Sequence, residues 1–141
     1  MAKFFSNEDL RQRQDTKVLA VATVLTAADS GPYILDAAAG KTITLPPLKE
    51  GLRYKFIVGA AFATTNFIIK SSEGDNINGI IADMGSTPAG IVAAGEDQIN
   101  FVASAELVGD YVEFICDFGN SQWLVNGVCG VNGGITATDP A

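Results

Sequence analysis

Short runs of alternating apolar and polar residues recur from Thr16 to Cys129, each stopped by a cluster of glycine, proline, asparagine or aspartate. No long stretch keeps a helical period. Successive side chains of an extended chain point to opposite faces, so such a run is satisfied only as a strand with one face buried. In "KTITL" at 41–45, Ile43 and Leu45 point one way and Thr42 and Thr44 the other. Pro46-Pro47 has no N–H to give a ladder, so that strand stops there. In "LRYKFIV" at 52–58, Leu52, Tyr54, Phe56 and Val58 share one face, opposite Arg53, Lys55 and Ile57. In "YVEFICDF" at 111–118 the inward set is Val112, Phe114, Cys116 and Phe118. "DFGNSQ" then turns, and Trp123 and Val125 share a face that packs on Phe114 or Phe118. Tyr54, Phe56, Phe114, Phe118 and Trp123 are the expected core anchors.

About nine short strands follow from this pattern: "TKVLAVATVLT", "YILDA", "KTITL", "LRYKFIV", "NFIIKS", "INGIIADM", "DQINFVAS", "DYVEFICDF" and "QWLVNGVC". The expected fold is all-β, an antiparallel β-sandwich or a closed β-barrel, with the pairing order left open. The chain of 141 residues is long enough for one core without staples, so residues 18–141 read as a single β domain. Residues 1–17 differ: "SNEDLRQRQDTK" is polar and mixed in charge, behind Phe4 and Phe5. They read as an extended N-terminal arm that orders on a partner, with a short helix over 6–14 capped by Ser6 and carrying Asp9 in its first turn.

Charge is distributed unevenly. All nine lysines and arginines lie at or before Lys70, and residues 71–141 carry ten acids and no base. The segments 1–70 and 71–141 therefore hold +3 and −10, summing to −7. Two poles of this kind suit contact between copies, although charges also mix in space on folding. An acidic chain without a basic patch points away from nucleic acid. The charged fraction of 18 % is low beside 48 % hydrophobic residues, so part of the apolar surface is expected to meet a partner. "VLAVATVLTAA" at 18–28 is too short to span a membrane, and "MAKFFSNEDL" has no apolar core of a signal peptide.

Chemistry-bearing motifs are weak. The chain has no histidine, which removes the commonest base and the commonest zinc ligand. "LDAAAGKT" at 35–42 ends like a phosphate loop, but Leu35 stands where its first glycine is needed and a strand follows. "EGDNING" at 73–79 resembles a calcium loop, but Ile77 occupies an oxygen position. Glu96 and Asp97 point to opposite faces if extended, so no carboxylate dyad is legible. Cys116 and Cys129 are expected reduced within strands, with pairing open only if those strands are neighbours. Trp123, the single tryptophan, reads as a core anchor or as a sugar-stacking platform. No enzyme activity, cofactor or metal is expected.

The stretch "LTAADSGPYILDAAAGKTITLPPLKEGLRYKFIVGA", with "NFIIKSS" and "NSQWLVNGV", resembles small structural proteins of tailed bacteriophages. It is most similar to head decoration (cement) proteins. Residues 25–59 carry the likeness best and the Trp hairpin second, while residues 1–17 lie outside it. The resemblance implies a non-enzymatic protein on the outer surface of the phage head. It implies trimers at local threefold positions that clamp neighbouring copies of the major capsid protein. A tail, fibre or adaptor component is the alternative within the virion, and a carbohydrate-binding module the alternative outside it. Phe4, Phe5, Arg11 and Arg13 in the arm are the expected contacts to the shell or to another subunit.

Overall fold

The computed structural model describes residues 17–85 and 89–140. Strands β1 (Lys17–Leu19) and β2 (Thr23–Val24) come from one apolar run, yet they lie in different sheets. The same crossing repeats along the chain. Strands β3 (Gly31–Leu35), β4 (Thr42–Thr44), β5 (Arg53–Val58) and β6 (Phe67–Lys70) alternate between the two sheets. Strands β7 (Ile77–Asp83) and β8 (Ala89–Glu96) then form a hairpin in the first sheet, and β9 (Gln98–Phe101) crosses back. Strands β10 (Tyr111–Asp117) and β11 (Gln122–Cys129) form a second hairpin, and β12 (Ile135–Thr138) closes the other sheet. The larger sheet has the order β1-β3-β5-β10-β11-β7-β8, and the smaller β12-β9-β6-β4-β2.

The all-β reading holds, and the architecture is a sandwich of two sheets, not a closed barrel. The antiparallel expectation needs correction. Among the described residues the pairs β1–β3, β3–β5, β2–β4, β4–β6 and β7–β11 are parallel. A crossover through the opposite sheet returns the chain in its starting direction, so neighbours in one sheet run alike. A strand here does the work that a helix does in a βαβ unit. "KTITL" and "LRYKFIV" are consequently not edge-to-edge partners. Pro46-Pro47 carries the chain from the small sheet to the large one, and the two strands sit in opposite layers.

Burial follows the alternation. Tyr54, Phe56 and Val58 on β5, Ile43 on β4, and Val112 and Phe114 on β10 all point inward. The rings stack into a spine: Tyr33 on Phe56, Phe56 edge-on to Phe114, and Trp123 edge-on to both Phe114 and Tyr54. Phe118 departs from expectation. It is 56 % exposed, because β10 ends at Asp117 and a 3-10 turn takes over at Phe118–Asn120. Asp117 Oδ2 accepts hydrogen bonds from Asn120 Nδ2 and Gln122 Nε2, both at 2.8 Å, which curls the chain before the fourth inward position. The period of two stops with the strand, and Phe118 turns outward.

Among the described residues, twelve strands replace the expected nine for three reasons. The first run divides between sheets at 20–22. "AGIVAAGE" forms β8 without alternation, and the tail segment "ITAT" pairs with β9 as β12. The arm residues Phe4, Phe5, Arg11 and Arg13, and the helix expected over 6–14, lie outside the described residues.

Candidate functional site

One end of the sandwich carries an apolar groove of about 680 Å³. Its walls come from three distant segments: Val24 to Ala27, Pro46 to Glu50, and Phe118. Local chemistry fixes each wall. Asp29 Oδ2 accepts from both the backbone N–H and the hydroxyl of Thr26 at 2.8 Å, closing the 3-10 turn Ala27–Asp29. The Tyr54 hydroxyl donates to the Thr26 carbonyl at 2.7 Å, and the Tyr33 hydroxyl donates to the Asp29 carbonyl. On the second wall, the Leu48 N–H donates to Glu73 Oε1 at 2.8 Å, which holds the loop after Pro46-Pro47. The groove is therefore bounded by anchored backbone.

Ionisation is consistent with that anchoring. Hydrogen bonds from Thr26 hold the Asp29 carboxyl below its usual range, with Lys17 adding attraction. Lys17 Nζ stands 3.9 Å from Asp29 Oδ1. Burial pushes the Tyr54 phenol up to about 12, so it remains a donor to Thr26 across physiological pH.

The groove is continuous in sequence with other exposed apolar residues. Val18, Val21 and Val24 all face solvent, and Val24 is 73 % exposed. Single exposed apolar residues are ordinary, but Val24 and Phe118 share one concave surface, which suits an interaction site. Ile80 and Leu124 are exposed on the large sheet, and Met84, Leu107 and Val108 are exposed elsewhere.

A second, polar cleft of about 430 Å³ involves Ser30, Arg53, Lys55 and Glu113. Arg53 Nη2 lies 3.7 Å from Glu113 Oε1, and Lys55 Nζ sits 4.6 Å above the Tyr111 ring. Both cations are thus engaged within the chain, and the exposed ion pair contributes at most about 1 kcal/mol.

A third feature is acidic. Asp75, Asp97 and Asp139 each bring a carboxylate oxygen within 4.8 Å of the others. Asp97 Oδ1 also accepts the Asp75 N–H at 2.6 Å. Three hard oxygens at this spacing suit a divalent cation by geometry, and without one they repel. Repulsion is visible at Asp139, whose carboxyl is pushed up by its hydrogen bond with Asp97 and then by that group's charge. A carboxyl raised in the folded state holds its proton more tightly there than in the unfolded chain. Its ionisation therefore weakens the fold as pH rises above the ordinary value of 3.8, and the penalty vanishes where both states are protonated. Asp139→Asn is expected to raise the melting temperature at pH 7 and to leave it unchanged at pH 3. Calorimetry at the two pH values measures this, and no gain at pH 7 would mean that solvent screens the cluster completely.

The cysteines are free. Cys116 is opposite Trp123 in the β10–β11 ladder, and Cys129 lies six residues further along β11. At roughly 3.3 Å per residue that is about 20 Å, far beyond disulfide reach. Burial pushes both thiols up, which disfavours the reactive thiolate.

Tyr54, Phe56, Phe114 and Trp123 meet in the core, as their spacing suggests, while Phe118 lines the groove. Trp123 is 0 % exposed and has no ring face to offer a sugar. The groove and the acidic cluster were not legible in advance, because each joins segments distant in sequence. The nearest sequence signal was the excess of apolar residues over what one core needs. Comparison with protein-family models, with curated proteins and with solved structures returns no match.

Proposed function

We propose that this chain is a non-enzymatic virion protein of a tailed bacteriophage, a head decoration (cement) protein. In this reading it binds the outside of the capsid shell as a homotrimer and stabilises the shell by bridging copies of the major capsid protein. The observation that carries the reading is the anchored apolar groove at the end of a rigid sandwich, with Val24 and Phe118 exposed beside it. Such a surface suits protein contact, and many copies bound side by side add their weak contacts. The likeness of residues 25–59 to decoration proteins supplies the partner. The closed environment of Trp123 speaks against the sugar-binding alternative.

The arm is the part of this reading most open to test. Removing residues 1–16 leaves β1 whole. The shortened protein is expected to keep its circular dichroism spectrum and melting temperature while losing attachment to capsids, as read by co-sedimentation. Undiminished attachment would remove Phe4, Phe5, Arg11 and Arg13 from the contact.

A further inference from the structure

We infer that copies of this chain pack on one another through the outer face of the larger sheet. The number of copies rests on the homotrimer reading above, whereas the surface itself is read from the fold. In a two-layer sandwich the outward position of each strand meets water and is ordinarily polar. The smaller sheet obeys this on β4, β6, β9 and β12. Thr42, Thr44, Lys70, Gln98, Thr136 and Thr138 face outward there, with Ile68 the apolar exception. The larger sheet does not. Its register sets Val18, Ile34, Ile57, Tyr111, Val128 and Ala82 side by side in one row across six strands, on the face away from the core. Ile115 and Leu124 are partners in the next row, and Ile80 is 65 % exposed on the same face. Strands that are apolar on both sides belong to sheets covered on both sides. Among the described residues the smaller sheet covers one face, and the other is left without a layer.

Size and charge select a second copy as that layer. Six strands about 4.8 Å apart and seven residues of about 3.4 Å each give a footprint of about 700 Å². Stable association buries about 800 Å² on each partner, so the cover must be a surface of similar breadth, and a single added strand falls far short. The same face of another copy has that breadth. On β3, β5, β10, β11 and β7 the outward charges are Arg53, Lys55, Glu113 and Asp117, which sum to zero in a chain of net charge −7. Equally acidic copies meet here without repulsion, whereas a basic partner is drawn to the acidic remainder. Covering the face also strands no lone charge. Arg53 Nη2 lies 3.7 Å from Glu113 Oε1, Lys55 Nζ sits over the Tyr111 ring, and Asp117 accepts from Asn120 and Gln122.

Sedimentation equilibrium of the full-length protein at micromolar concentration is expected to give a multiple of 14.7 kDa. Ile80→Glu and Leu124→Glu are each expected to weaken association about tenfold or more. Thr42→Glu, on the smaller sheet, is expected to leave it unchanged. A monomeric wild type would overturn both the proposed face and the homotrimer reading. An oligomer that resists both face variants, or that only Val24→Asp in the groove dissociates, would overturn the face and leave the homotrimer reading standing. A mass of two copies would keep the face and remove the number three. A soluble paramagnetic agent added to the wild type gives a second readout that needs no variant to fold. Ile80 and Leu124 are exposed in the single chain, yet their methyl signals are expected to be shielded while that of exposed Thr42 is bleached. Equal bleaching of all three would overturn the proposal.

Discussion

Gly79→Ala is expected to cost more than about 4 kcal/mol, a large part of the roughly 5–15 kcal/mol that holds a domain folded. Gly79 lies in β7 with φ +149°, a conformation that side chains with a Cβ rarely adopt. Its parallel partner is Val125 in β11. An alanine Cβ would stand 1.9 Å from the Val125 carbonyl oxygen and 2.9 Å from its carbonyl carbon and amide nitrogen. All three are backbone atoms of a central ladder, so no rotamer change relieves the clash. Two other glycines separate the contributions. Gly51 has φ +86° but nothing within 4 Å of a built Cβ, so Gly51→Ala should cost only about 1–2 kcal/mol of backbone strain. Gly119 meets only Asp117 Oδ1 at 4.0 Å, and Gly119→Ala should stay within about 0.5 kcal/mol of neutral. Urea unfolding followed by Trp123 fluorescence ranks all three. A mild Gly79→Ala would mean that β7 and β11 do not pair in this register.

Trp123→Ala carries the second large effect, about 3–5 kcal/mol. The side chain is fully buried, with ring centroids 5.9 Å from Tyr54 and 6.4 Å from Phe114, both edge-on. Its removal opens a cavity where both halves of the aromatic spine meet, and the ladder on either side limits collapse. The indole N–H finds no acceptor among the described residues, so Trp123→Phe sacrifices volume but no hydrogen bond seen there. That variant should retain most of the stability. Thermal melts by circular dichroism compare the two. Equal losses for alanine and phenylalanine would indicate that the indole nitrogen, not the ring volume, is what the core requires.

The faces of the strands were readable because alternation is a local property. Tyr54, Phe56, Ile43 and Phe114 fall inward wherever the extended run persists. Strand direction was not readable, since parallel and antiparallel pairs place side chains with the same period of two. The same reason hid the split between β1 and β2. Leu19 and Leu25 are both buried, but in residues facing different partners, and no proline or glycine marks the crossing. Phe118 was misplaced because a period assumes that the strand continues, whereas Asp117 ends it with side-chain hydrogen bonds to residues three and five positions on.

The two surface features were hidden for a different reason. Asp97 is 22 residues beyond Asp75 and 42 before Asp139. These carboxylates meet only because the β6–β7 connection, the β8–β9 turn and the end of β12 come together. The groove likewise needs the crossing from β4 to β5 to pass beside Val24 to Ala27 and the β10–β11 turn. The composition already required apolar surface beyond the core, and the fold gives that surplus a place.

The proposed role is tested most directly by locating and counting the protein in intact particles of its phage by cryo-electron microscopy. The decoration reading predicts β-sandwich density outside the head, grouped in threes at local threefold positions and present in many copies. Density confined to a few copies at the tail, or none on the particle, would contradict it.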